Sequence, residues 1–205
     1  MHPENFKLSD MQYDLLKELF NLGVGSAANS LSQLVHQEVM LSVPSILIET
    51  PEKLANRLGQ DSNVFSVSQE MDGPFAMNSL IVFSPEDSFD VVRLMLDPDL
   101  SNEALAELQS EAMSEIGNIV LNACISVIAE ALGESFSIQL PIFRDTTATS
   151  MLEKTMESSP GLLLSILVNM ELKHSQVKGH LVFILNTDSM SNLSKTLNSM
   201  LEGFC

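Results

Sequence analysis

The sequence predicts an α+β fold built from two similar halves, each reading helix, strand, strand, strand, helix. Three observations predict it. Each half opens on a long run of apolar residues at helical spacing, and each then carries a pair of alternating strands around a turn signal. A sparse polar pattern also recurs at a fixed distance. Asp14, Glu18, Asn21 and Pro44 are each followed 97 positions later by Glu111, Glu115, Asn118 and Pro141. A duplicated core accounts for repeated apolar spacing, but not by itself for a repeated Glu-x-x-Asn. The antiparallel hairpins argue against a parallel doubly wound sheet.

Ser9 with Gln12 three residues on resembles a capping box, and the helix it opens is expected to reach about His36. Leu15, Leu16, Leu19, Phe20, Ala27, Leu31 and Leu34 supply its apolar side. Val39, Leu41 and Val43 alternate with polar residues towards Pro44, as in a half-buried strand. Phe65 to Met71 and Phe75 to Phe83 flank Asp72 and Gly73, a turn signal. A closing helix is expected over about Pro85 to Leu96. The join falls at Asp97, Pro98 and Asp99, where proline and acids stop a helix. The second half repeats the order: a helix to about Leu132, then Phe136, Ile138 and Leu140 alternating towards Pro141. Leu162 to Leu172 and Val177 to Leu185 then flank Lys173 to Gln176, and a helix over about Asp188 to Leu201 closes the half. The shared Asp-Ser of the closing helices, at Asp87 and Asp188, is offset by 101 rather than 97, so the second half carries a short insertion. The connections 49–63 and 144–159 read as polar loops, with Thr146, Thr147, Ser158 and Ser159 suggesting exposure. The whole chain, 1–205, is expected to form one domain of two pseudo-symmetric repeats, about 8–97 and 101–203.

Composition narrows the function. Apolar residues make up 45% of the chain, ample for a core. The net charge of −17, from 27 acids against 10 bases, lacks the basic footprint of nucleic-acid or anionic-membrane binding. It suits either a protein partner with a basic patch or simple solubility. Cys124 and Cys205 have neither metal-ligand spacing nor a disulfide framework around them. The first residues lack the pattern of a signal peptide, and no apolar run reaches membrane-spanning length, so a cytoplasmic protein without membrane insertion is expected. No Gly-rich phosphate loop follows a strand.

At about 100° per residue, Asp14, Glu18, Asn21 and Gly25 share an arc of roughly 60°. Leu16, Leu19, Ala27 and Leu34 lie opposite. Glu111, Glu115, Asn118 and Asn122 share the same arc of the second helix, opposite Met113, Val120, Cys124 and Ala131. Both patches should face solvent. A carboxylate there can take a charge-assisted hydrogen bond from a partner's lysine or arginine, and an amide can orient a water. No nucleophile or pocket accompanies them, so a partner must bring most of any chemistry. An ordinary solvated helix face is the bland alternative. Gly23 and Gly25 each cost about 1 kcal/mol against alanine. Either a partner's backbone approaches them, or they let the helix pack closely on the sheet.

At these residues the chain resembles the CheC/CheX/FliY family of chemotaxis phosphatases. That family's pattern is Asp or Ser, then Glu, Asn and Pro at the spacing found in Asp14, Glu18, Asn21 and Pro44. Glu115, Asn118 and Pro141 repeat it, with Glu111 in place of Asp or Ser, and two motifs in one chain are most like the CheC branch. The resemblance implies a CheC-like fold whose halves share an antiparallel sheet with long helices packed on it. It also implies hydrolysis of phospho-aspartate on a CheY-type response regulator. Glu18 and Glu115 would dock a regulator lysine, Asn21 and Asn118 would orient the attacking water, and Asp14 and Glu111 would be accessory. This chain would bind no cofactor; Mg2+ would sit on the regulator. The deamidase CheD is a further partner that the resemblance implies. A non-catalytic regulator-binding adaptor and a flagellar-switch-related interaction module are the alternatives.

Overall fold

The computed structural model describes residues 6–42, 44–96, 99–156, 162–175 and 177–203. Val43, Asp97, Pro98, Ser158, Ser159, Gln176 and Cys205, all used above, lie outside them. Helix α1 spans Asp10–Val35. Its capping box is present: Gln12 N–H donates to the Ser9 hydroxyl and Ser9 N–H to Gln12 Oε1. It ends at His36, whose left-handed φ of 52° stops the helix. Strands β1 (Val39–Leu41) and β2 (Ser45–Glu49) follow, then a short helix α2 (Pro51–Arg57). The hairpin β3 (Asn63–Asp72) and β4 (Met77–Phe83) leads to α3 (Pro85–Met95). The second half runs α4 (Asn102–Leu132), β5 (Ser137–Ile138), β6 (Ile142–Thr147) and α5 (Ala148–Met156). It ends with β7 (Leu163–Leu172), β8 (Lys178–Leu185) and α6 (Thr187–Glu202).

The connection 49–63 therefore holds helix α2, with strand β2 ending at its start, and the connection 144–159 holds the end of β6 and helix α5. The alternation that marks a half-buried strand is missing from β2, a short, largely apolar SILIE, and α2 is only 7 residues long. Thr146 and Thr147, expected to be exposed, are half-buried in β6, where they pair with Val64 and Asn63. All strands form one antiparallel sheet in the order β1, β7, β8, β4, β3, β5, with β2 also on β7 and β6 also on β3. The first strands of each half thus pair with the hairpin of the other.

The register fixes which positions correspond. Leu41 pairs with Met170, and Ile138, 97 positions after Leu41, pairs with Met71. Positions on β7 therefore stand 99 after their counterparts on β3. The backbone agrees: Ser42 N–H donates to Asn169 O as Gln139 N–H donates to Glu70 O. At the closing helices the N-caps are Ser84 and Asn186, 102 apart. The Asp-Ser match at 101 is thus one residue out of structural step.

Helices α1, α3, α4 and α6 cover one face of the sheet around a core containing Leu16, Phe20, Leu31, Val67, Phe83, Met113, Ile166 and Phe183. Leu54, Leu58, Met151 and Leu152, from α2, α5 and their edges, cover part of the other face. By length and composition α4 could cross a membrane, with a mean hydropathy of 1.5 in its most apolar window. Here it is a core helix: Met113, Ile116, Val120, Cys124 and Ile128 are buried.

Gly73 does not turn the hairpin through a positive φ, which among the described glycines only Gly59 and Gly133 adopt. A Cβ at Gly73 would lie 2.8 Å from the Phe136 ring, so the glycine makes room for the start of β5.

Candidate functional site

The helical arcs face as the spacing demands. Asp14, Glu18, Glu111, Glu115 and Asn118 are exposed, and Asn21 and Asn122 are half-buried. Leu16, Leu19, Ala27, Met113, Val120 and Cys124 lie buried on the opposite side. Each Glu thus stands one turn from its Asn on a solvent-facing surface. Among the described residues, no ion pair or side-chain hydrogen bond engages Asp14, Glu18, Asn21, Glu111 or Glu115. Among the described residues the first pair has no bonded partner, with Glu18 exposed and Asn21 half-buried.

Along α4 the charge is of one sign. Glu103, Glu107, Glu111 and Glu115 follow one another at four-residue spacing along α4, a helix without a lysine or arginine. Like charges at that spacing destabilise an isolated helix by about 0.2–0.5 kcal/mol per pair. Only the first has a local remedy: the backbone N–H at the helix start and the Ser101 hydroxyl hold the Glu103 carboxyl below its ordinary range.

The prolines behave differently from the acid-amide pairs. Pro44 is buried between β1 and β2, and Pro141 is half-buried between β5 and β6. Both turn the chain between two strands.

The helix glycines divide cleanly. A Cβ on Gly23 would lie 2.7 Å from the Cys124 carbonyl oxygen and 2.8 Å from its Sγ, so this glycine lets α1 approach α4. The close packing is helix on helix rather than helix on sheet. Cys124 is buried there, and burial pushes its thiol well above the ordinary range. Gly25 has no atom within 4 Å of where a Cβ would sit.

Sequence reasoning missed the residues that hold the second amide. Asn118 Oδ1 accepts from Gln69 Nε2 at 3.2 Å and from Asn122 Nδ2 at 2.8 Å. Gln69 is only 2% exposed on β3. A signal was present: in β3, Gln69 falls in step with Val67 and Met71, on the core face, where a polar residue needs a reason. Gly117 brings the helix into reach, because a Cβ there would overlap the Val67 side chain. The corresponding place on α1 is Phe20, which meets Phe183 of β8 edge-on at 4.9 Å.

Another repeated polar position also escaped notice. Gln12 and Gln109 stand 97 apart. Gln12 Nε2 donates to Ser194 O, Ser194 Oγ and Asn198 Oδ1 on α6, and Gln109 Nε2 donates to Ser88 Oγ on α3. These glutamines tie each long helix to a closing helix.

No protein-family model matches the chain. It is 22% identical to the CheY-P phosphatase CheC of Bacillus subtilis (strain 168) over 204 residues, 95% of this chain and 97% of that one. It is 25% identical to the flagellar motor switch phosphatase FliY of the same organism over 141 residues, which cover 68% of this chain and 37% of that protein. Among solved structures, Thermotoga maritima FliY matches with a TM-score of 0.71 at 16% identity, covering 95% of this chain and 99% of that one. The Borrelia burgdorferi CheX structure, solved in complex with CheY, BeF3 and Mg2+, matches at 0.53 and 20% identity, covering 81% and 96%. The FliM middle domain from Helicobacter pylori shares the fold at 0.60 and 10% identity, covering 92% and 99%.

Mixed helices on an antiparallel sheet, with this strand order, define a protein of the CheC/FliY-like fold class. Over nearly its whole length the chain is similar to CheC, and it shares its fold with FliY.

Proposed function

We propose that the protein accelerates hydrolysis of phospho-aspartate on a CheY-type response regulator. The observation that carries this reading is the open first pair: Glu18 and Asn21 one turn apart on an exposed helix face, with no internal partner among the described residues. The similarity to CheC over 95% of the chain supports it, because that relative is a CheY-P phosphatase. Two Glu-Asn pairs in one chain support the CheC branch.

The chemistry needs little from this side. The Glu carboxylate accepts a charge-assisted hydrogen bond from a lysine of the regulator and fixes the docked geometry. The Asn carbonyl accepts a hydrogen bond from the attacking water and aims its lone pair at phosphorus. The water oxygen bonds to phosphorus as the bond to the aspartyl oxygen breaks, leaving a carboxylate and inorganic phosphate, with the water's proton passing to phosphate or solvent. Positioning and electrostatics suffice for this transfer. The regulator brings the phosphoryl group and its Mg2+. Asp14 and Glu111, one turn before each Glu, add negative charge facing a basic partner, and CheD is a second candidate partner. A cytoplasmic location fits such a substrate.

The test is phosphate release from a regulator phosphorylated with acetyl phosphate. Asn21→Ala together with Asn118→Ala is expected to reduce release to the regulator's own rate with the fold intact by circular dichroism. Acceleration that survives in the double variant sinks this mechanism. A binding module without turnover is the second reading, favoured by one observation: the carbonyl of Asn118 is already occupied. Tight binding of the phosphorylated regulator with no acceleration by the wild-type protein would select it.

A further inference from the structure

We infer that Gln69 and Asn122 are positioning residues that lock Asn118 with its carbonyl turned inward, making the second pair a phosphoryl-holding site of low turnover. The inference rests on the proposed role of the Glu-Asn pairs.

The orientation is fixed from the backbone outward. Gln69 Nε2 donates to the Gln139 carbonyl oxygen at 3.3 Å, and a backbone carbonyl can only accept. That pins the amino end of Gln69 beside Asn118, so Asn118 must offer its oxygen to it, at 3.2 Å. Asn122 must then donate its own amino group to the same oxygen, at 2.8 Å. Reversing any one amide sets two donors or two acceptors face to face. An amide oxygen has two lone pairs, and both are taken.

The lock leaves two acceptors stranded. Gln69 Oε1 and Asn122 Oδ1 are buried without a hydrogen-bond partner among the described residues. Buried orphans are uncommon in native proteins. The other half lacks the device altogether. By register the counterpart of Gln69 is Val168, fully buried, and the counterpart of Asn122 is Gly25. Among the described residues, no side chain hydrogen-bonds to Asn21.

The chemical consequence follows from which end of the amide faces out. Asn21 is free to present its carbonyl to a water. Asn118 presents its amino group, two N–H donors that suit a phosphoryl oxygen. A water bonded to them gives up a lone pair instead of having one aimed at phosphorus. The second pair therefore grips the phosphorylated regulator through Glu115 and the Asn118 amide while turning it over slowly.

The experiment places Gln69→Val and Asn122→Ala in an Asn21→Ala background, so that only the second pair works, and measures kcat and KM with acetyl-phosphate-phosphorylated regulator. Releasing the lock is expected to raise kcat at least tenfold while KM rises or stays level. A kcat that stays flat or falls overturns the inference, because a merely structural pair of amides could only lower it. Asn122→Ala alone removes one of the two donors to Asn118 and leaves Gln69 in place; if Gln69→Val does not fold, a kcat rise of about threefold from this single change supports the lock and no rise refutes it. Failure of the underlying reading shows elsewhere: Asn21→Ala with Asn118→Ala would leave release unchanged, whatever the lock does.

Discussion

The outer faces of α1 and α4 carry the same acid and amide one turn apart, yet they are built on different supports. On α4, Gly117 lets the helix down onto Val67, and Asn118 falls within reach of Gln69 in the strand below. On α1, Phe20 occupies that place and packs against Phe183. The strand position that would meet Asn21 is the apolar Val168, and Gly25 stands where α4 has Asn122. Three differences, Phe20 for Gly117, Val168 for Gln69 and Gly25 for Asn122, thus separate an unbonded amide from a bonded one. Polar residues repeated in sequence can be kept for opposite reasons. Gln12 and Gln109 each tie a helix to its neighbour, whereas Glu18 and Asn21 repeat with Glu115 and Asn118 although, among the described residues, the first pair bonds to nothing.

The sharpest break of this comparison is in rate. Asn21→Ala is expected to cost about 100-fold in phosphate release, the scale of losing one positioned catalytic hydrogen bond. Asn118→Ala should cost only a few-fold; equal losses would erase the distinction between the two faces. Next in size is the support itself. Gly117→Val should force α4 off β3 and destabilise the protein by about 3 kcal/mol, the upper end for overpacking, measured by urea unfolding. A loss below about 1 kcal/mol would show that the approach to Val67 does not hold the helix down. Gly23→Ala meets a backbone oxygen at 2.7 Å and should cost about 2 kcal/mol.

The back of the sheet extends the contrast through pH. His180 on β8 donates Nδ1–H to Asn169 Oδ1 at 3.1 Å, and its counterpart on β4 is Asn78. Burial lowers the His180 pKa below its ordinary 6.5, partly offset by the Asp87 carboxylate. The unfolded chain therefore binds the proton first as pH falls. Stability is full above pH 6.5 and declines below it until the folded-state histidine also protonates. His180→Asn, which copies the first half, should flatten thermal stability through that window. An unchanged slope would mean that the histidine is not the titrating group.

Much of this architecture could be read from residue spacing, and the exceptions share a cause. The long helices, their capping box and both hairpins were legible because each announces itself within one segment. Strands β2 and β6 were not. Their pairing partners lie in the other half, at Leu163 to Leu167 and Asn63 to Ser68, and nothing local marks them. The acid-amide arcs were legible from helical period alone. The lock on Asn118 was not, since it joins residues 49 positions apart in sequence and depends on how close a helix sits to a sheet. The offset of 101 at Asp87 and Asp188 misled for a related reason: repeated letters need not be equivalent once the hairpin between them has changed length. N-capping, which places Ser84 opposite Asn186, is the better guide because it is tied to geometry.

The smallest expected effect tests what remains of the two glycines. Gly23 is explained by the Cys124 carbonyl beside it, and that explanation does not extend to Gly25, which has open space where a Cβ would go. Folding alone would prefer alanine there: Gly25→Ala should stabilise the protein by about 1 kcal/mol through helix propensity. A glycine that costs stability and makes room for nothing inside the molecule leaves an approach from outside as its use. Gly25 lies on the same arc as Glu18 and Asn21, one turn beyond the amide, where a docked regulator's backbone would come closest. The same Gly25→Ala variant should therefore raise KM for the phosphorylated regulator severalfold with little change in kcat. A gain in stability with KM unchanged would show that Gly25 is unused surface, and would narrow the open face of α1 to Glu18 and Asn21.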